Sequence, residues 1–343
     1  MKRPPIQHSF KSEPRPTYDT AVPYVDPFKL KGPLTPTKRV LDQSDLAHLF
    51  ECTGLSRVLS VLMNMSQAVA EFGLTDDDEK RDRLSQSTSL WIIEIPLDCD
   101  PQRFGNKAFK VWGQRLEDEA EALHRSILGT SHQVIMPELL HHFKTAFGSF
   151  VRLDYGTGHE LSFLAYLSIL HLTRLLTPKD LLTTVLVIYQ RYFDTCRKLQ
   201  EVYRLEPAGS KGVYGLDDHF HLVYIFGSAQ LLHQSEITPS MINDRNFIAP
   251  QSSLFFNAIA HIRKLKRGPF FEHSPILYNV GKTVTGWTKV HSGMIKMWKG
   301  EVLGKVQVMQ HFWFTDHGVL GWNLGKEEEE CFFLGPEEEQ VER

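Results

Sequence analysis

The sequence lacks several features that mark common classes of protein. Its four cysteines lie far apart among 343 residues and form no C-x-x-C pair, which argues against a zinc, redox or haem site and favours a reducing compartment. A formal net charge of −3 gives no basic field for nucleic acid. No apolar stretch is long enough to span a bilayer, and the first residues lack the apolar core of a secretory signal. We expect a cytoplasmic protein, with the nucleus as an alternative, that binds neither nucleic acid nor membrane.

Signatures of covalent catalysis are also missing. The chain has no G-x-S-x-G nucleophile elbow, and no cysteine lies in a motif with a matching histidine. His159-Glu160 begins like the H-E-x-x-H zinc motif, but Phe163 occupies the position of the second histidine. The sequence therefore gives no support for a nucleophilic enzyme or a zincin-type metal site.

Proline and glutamate are concentrated at the two ends of the chain. Residues 1–36 carry eight of the 18 prolines, which fix φ and remove backbone donors, so neither helix nor sheet propagates there. Glu327 to Glu330 and Glu337 to Glu339 form acidic runs whose charges repel one another in a packed state. We predict a disordered Pro-rich tail over 1–36, a helical domain over 37–324 and a disordered acidic tail over 325–343.

The central region has helical periodicity and few strands. Apolar residues from Leu46 to Met63 recur mostly at steps of three and four, as one buried face of a helix requires. Thr177-Pro178 has the pattern of an N-cap and first residue of a long helix, and Ser252 is a candidate cap for a helix from Leu254 to Arg267. No repeat of about 20 to 50 residues is present. We predict an all-α protein.

One Gly-rich connection, Arg152 to Glu160, immediately precedes an apolar helix. Free N–H groups at a helix N-terminus attract anions, glycines let a phosphate approach the backbone, and Arg152 can neutralise a second oxygen. The connection lacks the lysine of a P-loop and the spacing of a dinucleotide fingerprint. It predicts either a nucleotide site or an ordinary Gly-rich turn.

A second connection, Glu206 to Asp218, ends in two adjacent carboxylates. Asp217 and Asp218 could hold a divalent cation together with backbone oxygens, or one of them could cap a helix beginning near Phe220. His219 and His221 follow, but an H-x-H pair without a further ligand does not define a metal site. Both interpretations of the carboxylates stay open at this point.

Six stretches of the chain resemble the protein phosphatase 2A activator family, also called phosphotyrosyl phosphatase activator. They follow the family's order, and the resemblance covers about Pro36 to Phe314. The stretches are RFGNKAF (Arg103–Phe109), RLDYGTGHE (Arg152–Glu160), RLEPAGSKGVYGLDD (Arg204–Asp218), FGSAQL (Phe226–Leu231), GPFFEHS (Gly268–Ser274) and VMQHFWF (Val308–Phe314).

The resemblance implies a helical fold with core, linker and lid subdomains around a cleft. It also implies binding to the catalytic subunit of type 2A protein phosphatase and to its scaffold complex. With ATP and Mg²⁺, family members convert an inactive phosphatase into one that acts on phosphoserine and phosphothreonine, and they are described as peptidyl-prolyl cis/trans isomerases that bind Pro-containing peptides. Whether a peptide induces a homodimer stays open.

Carried over residue by residue, the resemblance assigns two ligand sets. The Gly212 carbonyl and Asp218 would approach Mg²⁺. His219 and His221 stand where the family often has aromatic residues, and Trp313 to Gly321 departs from the family's usual Gly-containing ending. The residues that would contact ATP are Arg152, Thr157, Gly158, Gln310, His311 and Phe312.

Isomerisation would explain why no nucleophile is found. The barrier to rotation of an amide, about 18–20 kcal/mol, falls if an apolar groove desolvates and twists the bond without breaking it. Asp218, Glu272 and Tyr155 are our candidate catalytic residues. The alternative for each aromatic residue is core packing. The aromatic candidates for the groove are Tyr155, Tyr214, Phe270, Phe271 and Trp287.

Two other functions stay open beside the isomerase. One is a non-enzymatic binding partner that remodels the phosphatase metal site without isomerase chemistry. The other is a helical scaffold with degenerate loops, against which the intact GTGHE and GLDD motifs count.

Overall fold

The computed structural model describes residues 22–30, 34–74, 95, 97–100, 102, 104–209 and 215–324. Their regular structure is almost entirely helical, which confirms the all-α prediction. The α-helices are α1 (Asp45–Glu51), α2 (Thr53–Phe72), α3 (Ala108–Ile127), α4 (Met136–Thr145), α5 (Thr157–Leu172), α6 (Leu181–Thr183), α7 (Gln190–Tyr203), α8 (Leu222–Gln230), α9 (Leu254–Leu265), α10 (Phe270–His273), α11 (Pro275–Thr283), α12 (Trp287–Trp298) and α13 (Val306–Met309). Short 3₁₀ turns cover Pro27–Lys29, Thr130–Ile135, Pro178–Asp180 and Pro239–Asn243, and π-helical segments cover Thr184–Tyr189 and Lys299–Leu303.

The described strands are two residues long and form two ladders. In the first, β1 (Thr37–Lys38) pairs antiparallel with β4 (Trp313–Phe314) and joins the two ends of the described region. In the second, β2 (Asp154–Tyr155) pairs parallel with β3 (Glu206–Pro207). The second ladder matters for function because it brings two of the Gly-containing connections side by side.

The core is built around α5 and α8. Helix α5 is apolar on nearly all sides, as a fully buried helix is, and it packs against α2 and α4. Helix α8 packs against α2, α9 and α12. Gly227 permits the α8–α9 approach, since a Cβ there would lie 2.3 Å from the backbone nitrogen of Phe255. None of the helices in the described ranges is long and apolar enough to cross a membrane.

Helix boundaries follow the sequence signals with small displacements. The pattern from Leu46 to Met63 is divided at Cys52, whose extended backbone separates α1 from α2. Thr177 forms the predicted cap, reciprocally hydrogen-bonded with Asp180. At α9 the prediction is off by one residue, because the hydroxyl of Ser253, not that of Ser252, accepts the N–H of Phe256. That helix also ends at Leu265, before the predicted Arg267.

The prediction of a disordered tail up to residue 36 is wrong for residues 22–30 and for residues 34–36, of which Leu34 and Pro36 are buried. Val22 and Val25 are buried, and the N–H of Val25 donates to the carbonyl of Leu172. The Arg174 guanidinium donates to the carbonyls of Val22 and Pro23. Regular structure in this segment is limited to the 3₁₀ turn Pro27–Lys29. The carbonyls of Val22 and Pro23 accept hydrogen bonds from an arginine far along the chain, which local composition does not reveal. The remainder of that predicted tail, residues 1–21 and 31–33, and the acidic end from 325 lie outside the described residues.

The end of the described chain is held by a buried acid. Glu138 on α4 accepts the N–H groups of Val319 and Leu320 at 2.9 and 2.6 Å, and the hydroxyl of Thr315 at 3.3 Å. Burial raises the pKa of Glu138 to about 7, against the opposing effect of these hydrogen bonds. Residues 315–321 are therefore part of the folded domain.

Candidate functional site

The first two Gly-containing connections meet in the β2–β3 ladder. The N–H of Glu206 donates to the carbonyl of Leu153, and the N–H of Ala208 donates to the carbonyl of Tyr155. Gly156 is required by this approach, since a Cβ there would lie 3.0 Å from both the Cβ and the carbonyl oxygen of Ala208. Its presence is therefore explained by chain packing and is no separate sign of a phosphate site.

The start of α5 has two backbone donors that the helix itself does not use. The N–H groups of His159 and Glu160 both donate to the carbonyl of Gly156, which leaves those of Thr157 and Gly158 without an intrahelical acceptor. Thr157 and Gly158 are half-buried, and a Cβ on Gly158 would meet only Val308, at 3.3 Å. Two donors at the positive end of a buried helix can hold an anion.

Basic side chains surround this helix start. The Arg152 Nε donates to an oxygen of Asp154 at 2.7 Å, and His159 Nε2 lies 3.9 Å from the other oxygen. Burial opposes ionisation of Asp154, but the neighbouring His159 and Arg152 together outweigh it and lower the pKa of Asp154. Partial burial, followed by the neighbouring Arg152, His159 and Lys38, lowers the pKa of His311, and the carboxylate of Asp154 opposes this effect. These four basic groups therefore share one electrostatic environment.

The three predicted residues after α13 differ in exposure. His311 is exposed, and Gln310 accepts a hydrogen bond from Lys38 at 3.4 Å. The ring of Phe312 is 2% exposed and packs against His142 and Phe314, with ring centroids 4.9 Å apart in each case. In this arrangement Phe312 can meet a ligand only through its backbone, while Gln310 and His311 can meet one through their side chains.

Glu160 joins the first connection to the second and is absent from our predicted site residues. Its carboxylate is fully buried and accepts the N–H groups of His221 and Leu222, both at 2.9 Å. Burial raises the pKa of Glu160 to about 8, opposed by these hydrogen bonds, and the charge of Asp217 raises it further. The sequence does contain a signal for this role of Glu160, since it is an acid in the first turn of a largely apolar helix. A buried acid requires hydrogen-bond partners.

The adjacent carboxylates of the second connection have different roles. One oxygen of Asp217 accepts the N–H groups of His219 and Phe220 at 2.8 and 3.3 Å, and the other accepts the Tyr224 hydroxyl at 2.7 Å. Asp218 instead pairs with Lys266, 2.8 Å away, and both side chains are about a quarter exposed. The capping prediction is therefore wrong for both carboxylates: Asp217 holds the loop before the helix, which begins at Leu222, and the N–H groups at the helix start donate to Glu160.

Lys266 lies between Asp218 and the turn Gly268–Ser274, the third connection. It follows the end of α9, and its charge, after burial, contributes to lowering the pKa of His273 on α10. Beside His273, Glu272 and Phe271 are exposed, whereas Phe270 is buried under the guanidinium of Arg263, 5.0 Å from its ring. Asp218 and the Glu272 turn therefore belong to one region of the surface.

Two other aromatic candidates, Tyr155 and Trp287, are too buried to line a groove. Tyr155 is fully buried, with its hydroxyl 2.8 Å from that of Tyr192, and its ring packs beside His159, His219 and Phe220. Trp287 is 4% exposed and donates to the carbonyl of Ile237. Tyr214 and Gly212 lie outside the described residues.

These contacts decide which cofactor groups the cleft fits. Free backbone donors and four basic side chains fit the phosphates of a nucleotide, with Thr157, Gly158, Arg152 and His311 as the residues that would hold them. The described residues contain no group of three His, Cys, Asp or Glu side chains placed to bind a metal ion. Mg²⁺ commonly takes only one or two carboxylates together with substrate phosphates, so Asp218 fits as a single protein ligand.

Comparison with known proteins extends the resemblance to most of the chain. The family described as Phosphotyrosyl phosphate activator (PTPA) protein matches residues 36–320, six residues beyond the last stretch that we recognised. Serine/threonine-protein phosphatase 2A activator 1 of Schizosaccharomyces pombe is 39% identical over 292 residues, which cover 82% of this chain and 89% of that protein. The protein of the same name from Saccharomyces cerevisiae is 35% identical over 324 residues, which cover 90% of this chain and 82% of that protein.

A solved structure agrees with these relatives. The crystal structure of the PP2A phosphatase activator Ypa1 PTPA1 matches with a TM-score of 0.75 and 33% identity, over 84% of this chain and 96% of that chain. Sequence and fold thus lead to the same conclusion. The chain belongs to the phosphotyrosyl phosphatase activator (PTPA) family.

Proposed function

We propose that this chain is an activator of type 2A serine/threonine protein phosphatase and acts by binding the catalytic subunit. The observation that carries the proposal is the identity of 39% and 35% to two proteins named as activators of that phosphatase, over at least four fifths of this chain. The pairing of the first two recognised connections in the β2–β3 ladder, and the hydrogen bonds of Glu160 to His221 and Leu222, support it. The phosphatase scaffold complex, a Pro-containing peptide and a second copy of the chain are proposed on the resemblance alone. A cytoplasmic location, with the nucleus as the alternative, is proposed on the sequence features described above.

Activation depends, in this proposal, on ATP and Mg²⁺ held in the cleft. Arg152 and the N–H groups of Thr157 and Gly158 would bind phosphate oxygens, and Asp218 would provide a carboxylate to the cation. Mg²⁺ would neutralise phosphate charge beside Asp218. The ammonium group of Lys266 must move away from Asp218 when the cation binds.

The proposed chemistry is isomerisation of a prolyl bond in the phosphatase. Asp218 and Glu272, which are accessible, would provide polar contacts, and the exposed Phe271 an apolar one. One observation favours the alternative of a binding partner without isomerase chemistry. Of the four groove candidates that lie in the described residues, Tyr155, Phe270 and Trp287 are buried, so a desolvating groove would have to be completed by the phosphatase itself.

Reactivation of purified, inactive type 2A catalytic subunit tests the proposal. With ATP and Mg²⁺, the native chain is expected to restore phosphoserine phosphatase activity, and Arg152→Ala and Asp218→Ala are expected to lower the rate at least about tenfold, as loss of a charged ligand contact does. Glu272→Gln tests the assignment of Glu272 as a catalytic residue in the same assay. No reactivation by the native chain would reject the activator function.

A second measurement separates the two chemistries. Cis/trans exchange of a short Pro-containing peptide, followed by NMR, is expected to accelerate with the chain alone if it is an isomerase. Acceleration only in the presence of the catalytic subunit favours a joint groove, and none in either case favours the binding partner.

A further inference from the structure

Glu160 occupies an unusual place between the two ligand-binding connections. It lies two residues after Gly158 in the first turn of α5, yet both its oxygens accept N–H groups from the start of α8. The two N–H groups belong to His221 and Leu222, which follow closely after Asp218. One carboxylate thus caps a helix that is about 60 residues away in sequence.

The surroundings of this carboxylate are otherwise fixed. Asp217 holds its own loop through the N–H groups of His219 and Phe220, and the His221 ring lies 2.9 Å from the carbonyl of Met294. The loop from 217 to 221 is therefore internally braced. Its hydrogen bonds to the start of α5 are the two that Glu160 accepts, and the Tyr155 ring packs against His219 and Phe220 beside them.

We propose that Glu160 is a positioning residue that couples the phosphate end of the cleft to the cation end, so that each ligand strengthens the binding of the other. This inference rests on the proposed function. Any movement of the α5 start toward a phosphate moves the carboxylate, and with it the His221 and Leu222 N–H groups that anchor the Asp218 loop. Linkage requires the effect to be reciprocal.

Glu160→Gln tests the coupling with little change in side-chain volume. A glutamine provides one carbonyl oxygen, so one of the two N–H groups loses its acceptor and faces an NH₂ group instead. Glu138→Gln is the matched control. Glu138 is equally buried and also accepts two consecutive N–H groups, but these belong to Val319 and Leu320.

Calorimetry of the full chain with ATP in Mg²⁺ and with ATP in EDTA provides the readout. For the native chain and Glu138→Gln, Mg²⁺ is expected to strengthen ATP binding about tenfold, a typical coupling. For Glu160→Gln the strengthening should fall below about twofold, with ATP affinity in EDTA within about threefold of native. Equal strengthening in Glu160→Gln and native chain would overturn the inference and leave the proposed function standing.

Amide hydrogen exchange in the native chain keeps the inference testable if Glu160→Gln does not fold. Mg²⁺ with ATP should slow exchange at His221 and Leu222, while exchange at Val319 and Leu320 stays constant. Unchanged exchange at His221 and Leu222 despite ATP binding would contradict the coupling. Failure of the native chain to bind ATP at all would instead reject the nucleotide part of the proposed function and the coupling with it.

Discussion

The two connections of the cleft use the same kinds of residue in different ways. At the start of α5, backbone N–H groups and basic side chains face outward, and the acid Glu160 is buried for structure. In the 215–221 loop the N–H groups of His219, Phe220 and His221 donate to carboxylates. Asp217 holds this loop, whereas Asp218 forms a partly exposed ion pair with Lys266. The comparison shows that partners, not residue type, decide which carboxylate is available to a ligand.

The largest expected effect is a loss of stability in Asp217→Ala, which should distinguish Asp217 from the adjacent Asp218. Asp217→Ala removes the acceptor of two backbone N–H groups and of the Tyr224 hydroxyl, and buried groups left unpaired cost about 1–3 kcal/mol each. We expect a loss of about 2–4 kcal/mol in the free energy of unfolding, measured in urea. A loss no larger than that of Asp218→Ala would contradict the division of roles.

The next effect is a change of about 2 kcal/mol in the free energy of unfolding with pH, caused by Glu160. The folded state raises the pKa of Glu160 from an ordinary 4.5 to about 8, so between these values it retains a proton that the unfolded state has released. Raising the pH through this window therefore favours unfolding.

Histidines oppose this trend below pH 6.5, because burial lowers the pKa of His141, His171, His261 and His291 to about 4. We therefore expect the free energy of unfolding to fall between pH about 6.5 and 8, and Glu160→Gln to flatten the fall above pH 7. Urea titrations at four pH values measure it. A native stability that rises over that window would be inconsistent with a protonated Glu160.

The sequence predicted some parts of this cleft and not others, for physical reasons. Caps such as Thr177 and donors such as Gly158 depend on neighbouring residues, so local patterns reveal them. The position of Glu160 depends on a contact across about 60 residues, and Val25 depends on Leu172. The burial of Tyr155 and Trp287 also escaped prediction, because an aromatic residue beside a Gly-rich turn has the same local signature in a groove and in a core.

Asp218→Ala should have a small effect on stability, in contrast to Asp217→Ala. Its ion pair with Lys266 is partly exposed, and such pairs contribute about 0–1 kcal/mol. The free energy of unfolding should fall by less than about 1 kcal/mol, measured in the same urea titrations. A larger loss would show that Asp218 is a structural residue, like its neighbour.

The smallest expected effect sharpens the role of Asp218 as a cation ligand. Lys266→Met keeps the aliphatic stem but removes the ammonium group that competes with a cation, so Mg²⁺-dependent ATP binding should strengthen by about two- to fivefold. Calorimetry measures the change, and Lys264→Met, whose partner is Glu201, is the control. Weaker binding in Lys266→Met would show that Lys266 itself holds the ligand.

A double-mutant cycle of Arg152→Ala and Asp218→Ala in the phosphatase reactivation assay tests most directly whether the two connections form one site. If they hold the same ligand, the double variant should lose little more activity than either single variant, since each removes a part of one unit. If the losses multiply, so that two tenfold effects give about a hundredfold loss, Arg152 and Asp218 act independently and the single-site account is contradicted.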